Sequence, residues 1–235
     1  MEIAPGIHSL YQREGGYVHA FLLDDGRELT LIDTLYDTDG HRVLDYLRRL
    51  GRPATDLRNI VLTHGHRSHL GGLPALKQAS GATVFAHERE ADITQGERKA
   101  QPVSTLPRRA FKAWFPLQIG LALGLGQHPP CEVDRCVSDG DQVGPLQVLL
   151  ASGHSPGHLA FYWEDRKALF AGDAIATWPE LAPGWPAFNL NPRQHRQSLI
   201  RMAKLDSELV AVGHGEPITS RGTATVRAMV SRAVD

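Results

Sequence analysis

Cysteine is nearly missing from this chain: Cys131 and Cys136 are the only two in 235 residues. So few cysteines exclude a disulfide-stapled secreted scaffold. They lie five apart with no second pair to complete a zinc site, so two ordinary thiols are expected. An excess of charge of either sign is missing too, with 25 basic against 26 acidic residues and a formal charge of -1. That balance gives no electrostatic reason to expect nucleic acid or an anionic membrane surface. Long apolar runs are also wanting. The longest, around Leu117 to Leu125, is broken by Gln118, Gly120 and Gly124 and is too short to span a bilayer. Met1 to Gly6 has no basic segment leading into an apolar core, so no signal peptide is expected and the default compartment is the cytoplasm. No Gly-x-Ser-x-Gly elbow surrounds Ser68 and no base-plus-orienter triad is apparent for it, which argues against that serine as a covalent nucleophile.

What remains is ordinary globular material, 42% hydrophobic, with an uncommon number of histidines, twelve. Three of them fall in Thr63-His64-Gly65-His66-Arg67-Ser68-His69, directly after the apolar run Asn59 to Leu62. A strand continued through this stretch projects His64 and His66 to one side, and His69 on the first turn of a following helix swings back toward them. Converging neutral imidazoles favour zinc or a similar divalent ion. A polar loop that is merely histidine-rich is the plain alternative. Three further runs share a shape, each apolar and ending in glycine and a ligand-type residue. They are Gly153-His154-Ser155-Pro156-Gly157-His158, Leu169-Phe170-Ala171-Gly172-Asp173 and Val212-Gly213-His214-Gly215.

In that order the motifs resemble the metallo-β-lactamase fold superfamily of hydrolases over nearly the whole chain. The resemblance implies a first metal site from His64, His66 and His154, a bridging Asp173, and a second site from His69 and His214. It implies zinc, as one or two ions, with iron or manganese as alternatives; the second ion is expected to be held more weakly because of the residue at position 68. Ser68 is the departure, because the family has Asp there. Serine is a weak zinc ligand, reaches one atom less far and cannot carry a proton as a carboxylate does. Ser68 and Asp173 are therefore the catalytic candidates, one for what it lacks. Specialisation to one metal, loss of activity and an introduced substitution all stay open as accounts of Ser68. Asp33, after a strand, is read either as support for the metal loop or as a turn cap. His87 is read as a helix-start histidine.

The expected elements are a meander (Ile7 to Tyr11, Tyr17 to Leu23, Glu28 to Ile32), a helix over Asp39 to Leu50 and the strand into the histidine loop. Helix, strand and helix follow over Gly71 to Ala79, Ala82 to Ala86 and His87 to Gln95. Strands over Gly144 to Leu150, Leu159 to Trp163 and Ala168 to Phe170 come next, then a helix over Pro192 to Leu205, a strand over Leu209 to Val212 and a helix over Thr219 to Val234. Two facing sheets with helices outside fit this order. The resemblance implies the αββα four-layer sandwich, an α/β fold with two mixed or antiparallel sheets, in one domain over residues 1–235. Residues 96–139 read as an apolar insert holding Phe111, Trp114, Phe115, Leu117, Ile119, Leu121, Leu123 and Leu125, a lid or a homodimer contact. Trp178, Trp185 and Phe188 are candidate pocket walls. The function expected is hydrolysis by metal-activated water of a small ester, lactone, thioester or β-lactam-type molecule. A mononuclear iron persulfide dioxygenase and a catalytically impaired binding homologue are the alternatives. The expected partner is a small-molecule substrate, with neither nucleic acid nor membrane.

Overall fold

Two stretches, Val18–Asp24 and Leu159–Trp163, are apolar at almost every position rather than at every second one. A strand with that pattern must be covered on both faces, and a computed structural model shows how. It describes residues 1–100, 119, 123–124, 126–186 and 188–232. Strands β1 (Glu2–Ala4), β2 (Ile7–Gln12), β3 (Val18–Asp24) and β4 (Leu29–Ile32) form the antiparallel meander. Strands β5 (Leu57–Val61), β6 (Thr83–Ala86) and β7 (Arg135–Cys136) then add to β4 in parallel, completing a sheet in the order β1 to β7. The second sheet runs β12 (Leu209–Ala211), β11 (Ala168–Phe170), β10 (Leu159–Trp163), β9 (Leu146–Leu150) and β8 (Gln142–Val143). Only its β11–β12 pair is parallel.

Side-chain alternation divides the strands among three apolar layers. Val18, Ala20 and Leu22 of β3 pack toward helices α1 (His41–Arg49), α2 (Arg67–Leu70) and α3 (Leu73–Ser80), meeting Val43, Leu47, Leu70, Leu73 and Leu76. Phe21 and Leu23 face the other way, into the layer between the sheets, where they join Leu159, Phe161 and Trp163 of β10. Ala160 and Tyr162 of β10 turn outward to α5 (Pro192–Met202) and α6 (Gly222–Arg232), among Leu199, Met202 and Val226. Helix α4 (Glu88–Thr94) follows β6. The layers are thus helix, sheet, sheet, helix, the expected αββα order. Phe161 lies fully buried between the sheets, and truncating such a residue to Ala leaves a cavity costing about 3–5 kcal/mol.

The structure adds β1, β7 and β8, each two or three residues long and too short to read from pattern. It also returns the end of the expected insert to the core: Cys131 is buried against the first sheet's outer layer and Val137 between the sheets. Phe111, Trp114, Phe115, Leu117, Leu121 and Leu125 lie outside the described residues, while Ile119 and Leu123 are exposed. Both cysteines are free. Among the described residues no helix is long and apolar enough to cross a membrane.

The C-terminal ends of β4, β5, β9, β11 and β12 come to one edge of the sandwich. Backbone bonds tie the two sheets there, from Leu159 N–H to Thr63 O at 2.8 Å and from His19 N–H to Gly213 O at 2.9 Å.

Candidate metal centre

The loops at this edge bring together all six residues singled out as ligands. Strand β5 stops at Val61, so His64 and His66 project from a loop rather than from a strand continued through them, and His69 lies in α2. A loop can aim both rings at one point without the strand's period. His64 Nε2, His66 Nδ1, His154 Nε2 and Asp173 Oδ2 form one group of donor atoms. The separations are 2.8 Å from His64 to His66, 3.1 Å from His66 to His154, 3.4 Å from His154 to Asp173 and 3.7 Å from His64 to Asp173. Ligands at zinc bond lengths in a tetrahedron sit ~3.3 Å apart, so the cage has the size of one divalent ion. His69, Asp173 and His214 form a second group. His69 Nε2 lies 3.3 Å from Asp173 Oδ1, and His214 Nε2 lies 3.3 Å from Asp173 Oδ2. Asp173 faces both groups.

The rings are oriented from behind, which fixes which nitrogen is free to bind. Asp33 Oδ2 accepts from His69 Nδ1–H at 2.8 Å and from the Thr63 hydroxyl at 2.7 Å, while Oδ1 accepts from Thr63 N–H. The Thr63 oxygen in turn accepts from His64 Nδ1–H at 2.9 Å. One carboxylate therefore points the open nitrogens of His64 and His69 inward. Asp33 is the loop support that the sequence left as one of two readings. His214 Nδ1–H donates to Gly16 O at 2.8 Å, and the Trp185 ring lies over its imidazole at 4.4 Å. Gly213 is a glycine by necessity, because a Cβ there would collide with Asp173 Oδ1.

Two observations favour a cation as the missing partner. His69 Nε2 and Asp173 Oδ1 are buried and have no hydrogen-bond partner, which is costly unless something else satisfies them. The titration behaviour of His64, His66 and His154 agrees. Burial and the neighbouring imidazoles hold His64 well below the usual histidine range, and burial does the same to His154 and takes His66 to about 4. These rings stay neutral at physiological pH, as ligation requires. His69 differs: burial penalises its charged form, but Asp173 and Asp33 outweigh it and raise that ring to about 10, so a cation would have to displace its proton. Asp173 is lowered well below the carboxylate range: burial opposes this, and His214, His69 and His64 overcome it.

Two residues of this rim escaped the sequence reading. His158, fully buried and taken by burial to about 3, accepts the Asp173 N–H on Nε2 at 3.0 Å and so steadies the shared carboxylate. Its signal was present, as the second histidine of Gly153 to His158. Glu90, 2% exposed, bonds to the loops on either side of the first group, and nothing in its local sequence marks it. His87 caps α4, its Nδ1 accepting from Arg89 N–H. A further group of Asp37, Asp39 and His41 is exposed apart from Asp37.

A cavity of about 610 Å³ opens over the donors. Its wall includes Ser68, Arg67, Lys99, Trp185 and Phe188. Ser68 stands at the cavity. Trp178 does not line the cavity: it is 45% exposed and packs edge-on against Trp185, so only two of the three aromatic candidates form wall.

Residues 13–214 match the model of the family described as the metallo-beta-lactamase superfamily. The chain is similar to a Bacillus subtilis protein named probable metallo-hydrolase YflN, 25% identical over 94% of this chain and 88% of that one. It is also similar to a hydroxyacylglutathione hydrolase of Rhodobacter capsulatus, 29% identical over 79% of this chain and 59% of that protein's length. A crystal structure of a metallo-beta-lactamase family protein from Thermus thermophilus shares the fold. Its TM-score is 0.69 at 27% identity, covering 99% of this chain and 79% of that one.

Proposed function

The chain belongs to the metallo-beta-lactamase superfamily, and from that membership we propose that it is a metal-dependent hydrolase of a small ester, lactone, thioester or β-lactam-type substrate. The observation that carries this reading is the pair of donor groups sharing Asp173 beneath one open cavity. His64, His66, His154 and Asp173 would hold zinc in the first site, and His69, His214 and Asp173 a second, weaker ion. Bound there, a divalent cation supplies Lewis acidity for an acyl carbonyl and makes water nucleophilic near neutral pH.

The protein's own residues do the rest. Asp33, through Thr63 and directly, keeps the lone pairs of His64 and His69 turned inward. Asp173 neutralises part of the charge gathered at both groups. The Ser68 hydroxyl is neutral and has a very high pKa, so it relays a proton to a leaving group poorly. Thioesters and activated lactones, whose leaving groups need little protonation, therefore suit the site better than amides. Trp185 and Phe188 offer an apolar wall to the acyl portion, and Arg67 and Lys99 place positive charge on the same cavity. That combination favours an acyl substrate bearing a negative group. The resemblance to a hydroxyacylglutathione hydrolase supports a thioester.

Metal analysis by mass spectrometry, followed by rates on ester, lactone, thioester and β-lactam substrates with and without chelator, tests this. Zinc content with chelator-sensitive hydrolysis is expected; a rate unchanged by complete metal removal overturns it. One observation favours a second reading. The second group offers three donors against four, which suits a single-ion site and so an iron persulfide dioxygenase. Iron content with oxygen uptake and no hydrolysis would select it.

A further inference from the structure

Glu90 is a carboxylate 2% exposed on the first turns of α4, away from the cavity wall. A charge in such a place is expensive unless its lone pairs are satisfied. Its Oε1 accepts from Ser155 Oγ at 2.7 Å and from Gly157 N–H at 2.8 Å, and its Oε2 accepts from Gly65 N–H at 3.0 Å. Gly65 lies between His64 and His66. Ser155 follows His154, and Gly157 precedes His158. The two loops are 88 residues apart in sequence from His66 to His154, and this carboxylate is bonded to both. Glycine at 157 is needed for its approach, because a Cβ there would lie 2.8 Å from Glu90 Cγ; a Cβ at Gly65 would meet Ile93 Cγ2 at 2.7 Å and Glu90 Oε2 at 3.1 Å.

We propose that Glu90 is the positioning residue of the first metal site, clamping the His64–His66 loop to the His154 loop so that three imidazoles hold the spacing of one ion. This rests on the reading of that site as a metal site. Only an acceptor on both oxygens serves. A carboxamide keeps one acceptor oxygen for Ser155 and Gly157 but turns an N–H₂ toward the Gly65 N–H, where two donors repel. Glu90→Gln is therefore nearly isosteric and cuts one side of the clamp. Glu90 accepts directly from neither the Asp173 nor the His214 loop, so the effect falls first on the first group.

The test titrates zinc into metal-free full-length protein against a chromophoric chelator, and measures the melting temperature of each variant with and without zinc. Glu90→Gln is expected to weaken the tight site about 10- to 100-fold, the scale for a residue that orients metal ligands. The zinc-induced rise in melting temperature should shrink accordingly. Ser155→Ala, which removes a single donor, should show a smaller loss of the same kind, about a few-fold, and carries the test if Glu90→Gln does not fold. Cobalt(II) in place of zinc should give a weaker tetrahedral absorption in Glu90→Gln. Unchanged affinity and an equal drop in melting temperature with and without zinc would show plain structural support and overturn the proposal. A wild-type chain that takes up no zinc would instead overturn the metal reading itself.

Discussion

The two donor groups share Asp173 yet are built differently. The first is held by His64, His66 and His154 on two loops that Glu90 joins, and it has four donors. The second has three, with His69 set by Asp33 and His214 by a backbone carbonyl and the face of Trp185. On the proposed reading, the four-donor set clamped by Glu90 would be the tighter site. The three-donor set, at the cavity that Ser68 and Trp185 line, would be the weaker one. The comparison teaches that two groups sharing one carboxylate differ in donor number and in what orients their rings, so the proposed reading divides affinity and substrate handling between them.

The largest effect comes from removing what they share. Asp173→Ala should empty both sites and lower hydrolysis by roughly three orders of magnitude, the scale of losing a principal electrostatic element. Two bound ions in that variant, seen by mass spectrometry of the native protein, would break the picture of a bridge. Next come the single-group variants. His66→Ala should abolish tight binding, while His214→Ala should keep one tight ion and lose the weak one. Equal losses in both would erase the asymmetry. Ser68→Asp acts in the opposite direction. It supplies the fourth donor to the second group, so a second zinc should bind about tenfold tighter or more and turnover should rise. An unchanged zinc isotherm would place Ser68 away from the ligand position.

Much of this asymmetry was legible in sequence, for physical reasons. Histidine is uncommon, so His64, His66 and His69 in one loop stand out, and Ser68 is visible as a departure only beside the superfamily's His-x-His-x-Asp-His signature. Strands such as Leu159–Trp163 declare themselves by apolar residues with no polar alternation, because both faces are covered. Glu90 was not legible. Its stretch, Glu88 to Asp92, looks like an acidic, solvent-facing first helical turn, and only the packed structure shows that its third residue is buried. His158 was half legible, since nothing in Gly153 to His158 says which imidazole faces the donors and which the Asp173 backbone. Strands of two or three residues, β1, β7 and β8, owe their existence to neighbours that no local pattern reveals.

The effect expected farthest from the donors concerns the strand behind the second group. His19 on β3 is 2% exposed, its Nδ1 bonded to Ser9 Oγ at 2.8 Å and its Nε2 buried without a partner. Its backbone N–H holds Gly213, next to His214. Burial lowers this ring to about 4 from an ordinary value near 6.5. The folded state therefore binds fewer protons than the unfolded chain between those two values. Above pH 6.5 both states are neutral at this position and it contributes no pH dependence. As pH falls from 6.5 toward 4, protonation favours the unfolded chain, and the accumulated loss approaches about 3 kcal/mol. His19→Gln keeps a partner for Ser9 and removes the titration. Denaturant unfolding of the two proteins across pH 7 to 4 should show a shallower acid limb for the variant. Parallel limbs would mean that His19 takes up its proton in the folded state, and that the backing of the second group is as well hydrated as its open side.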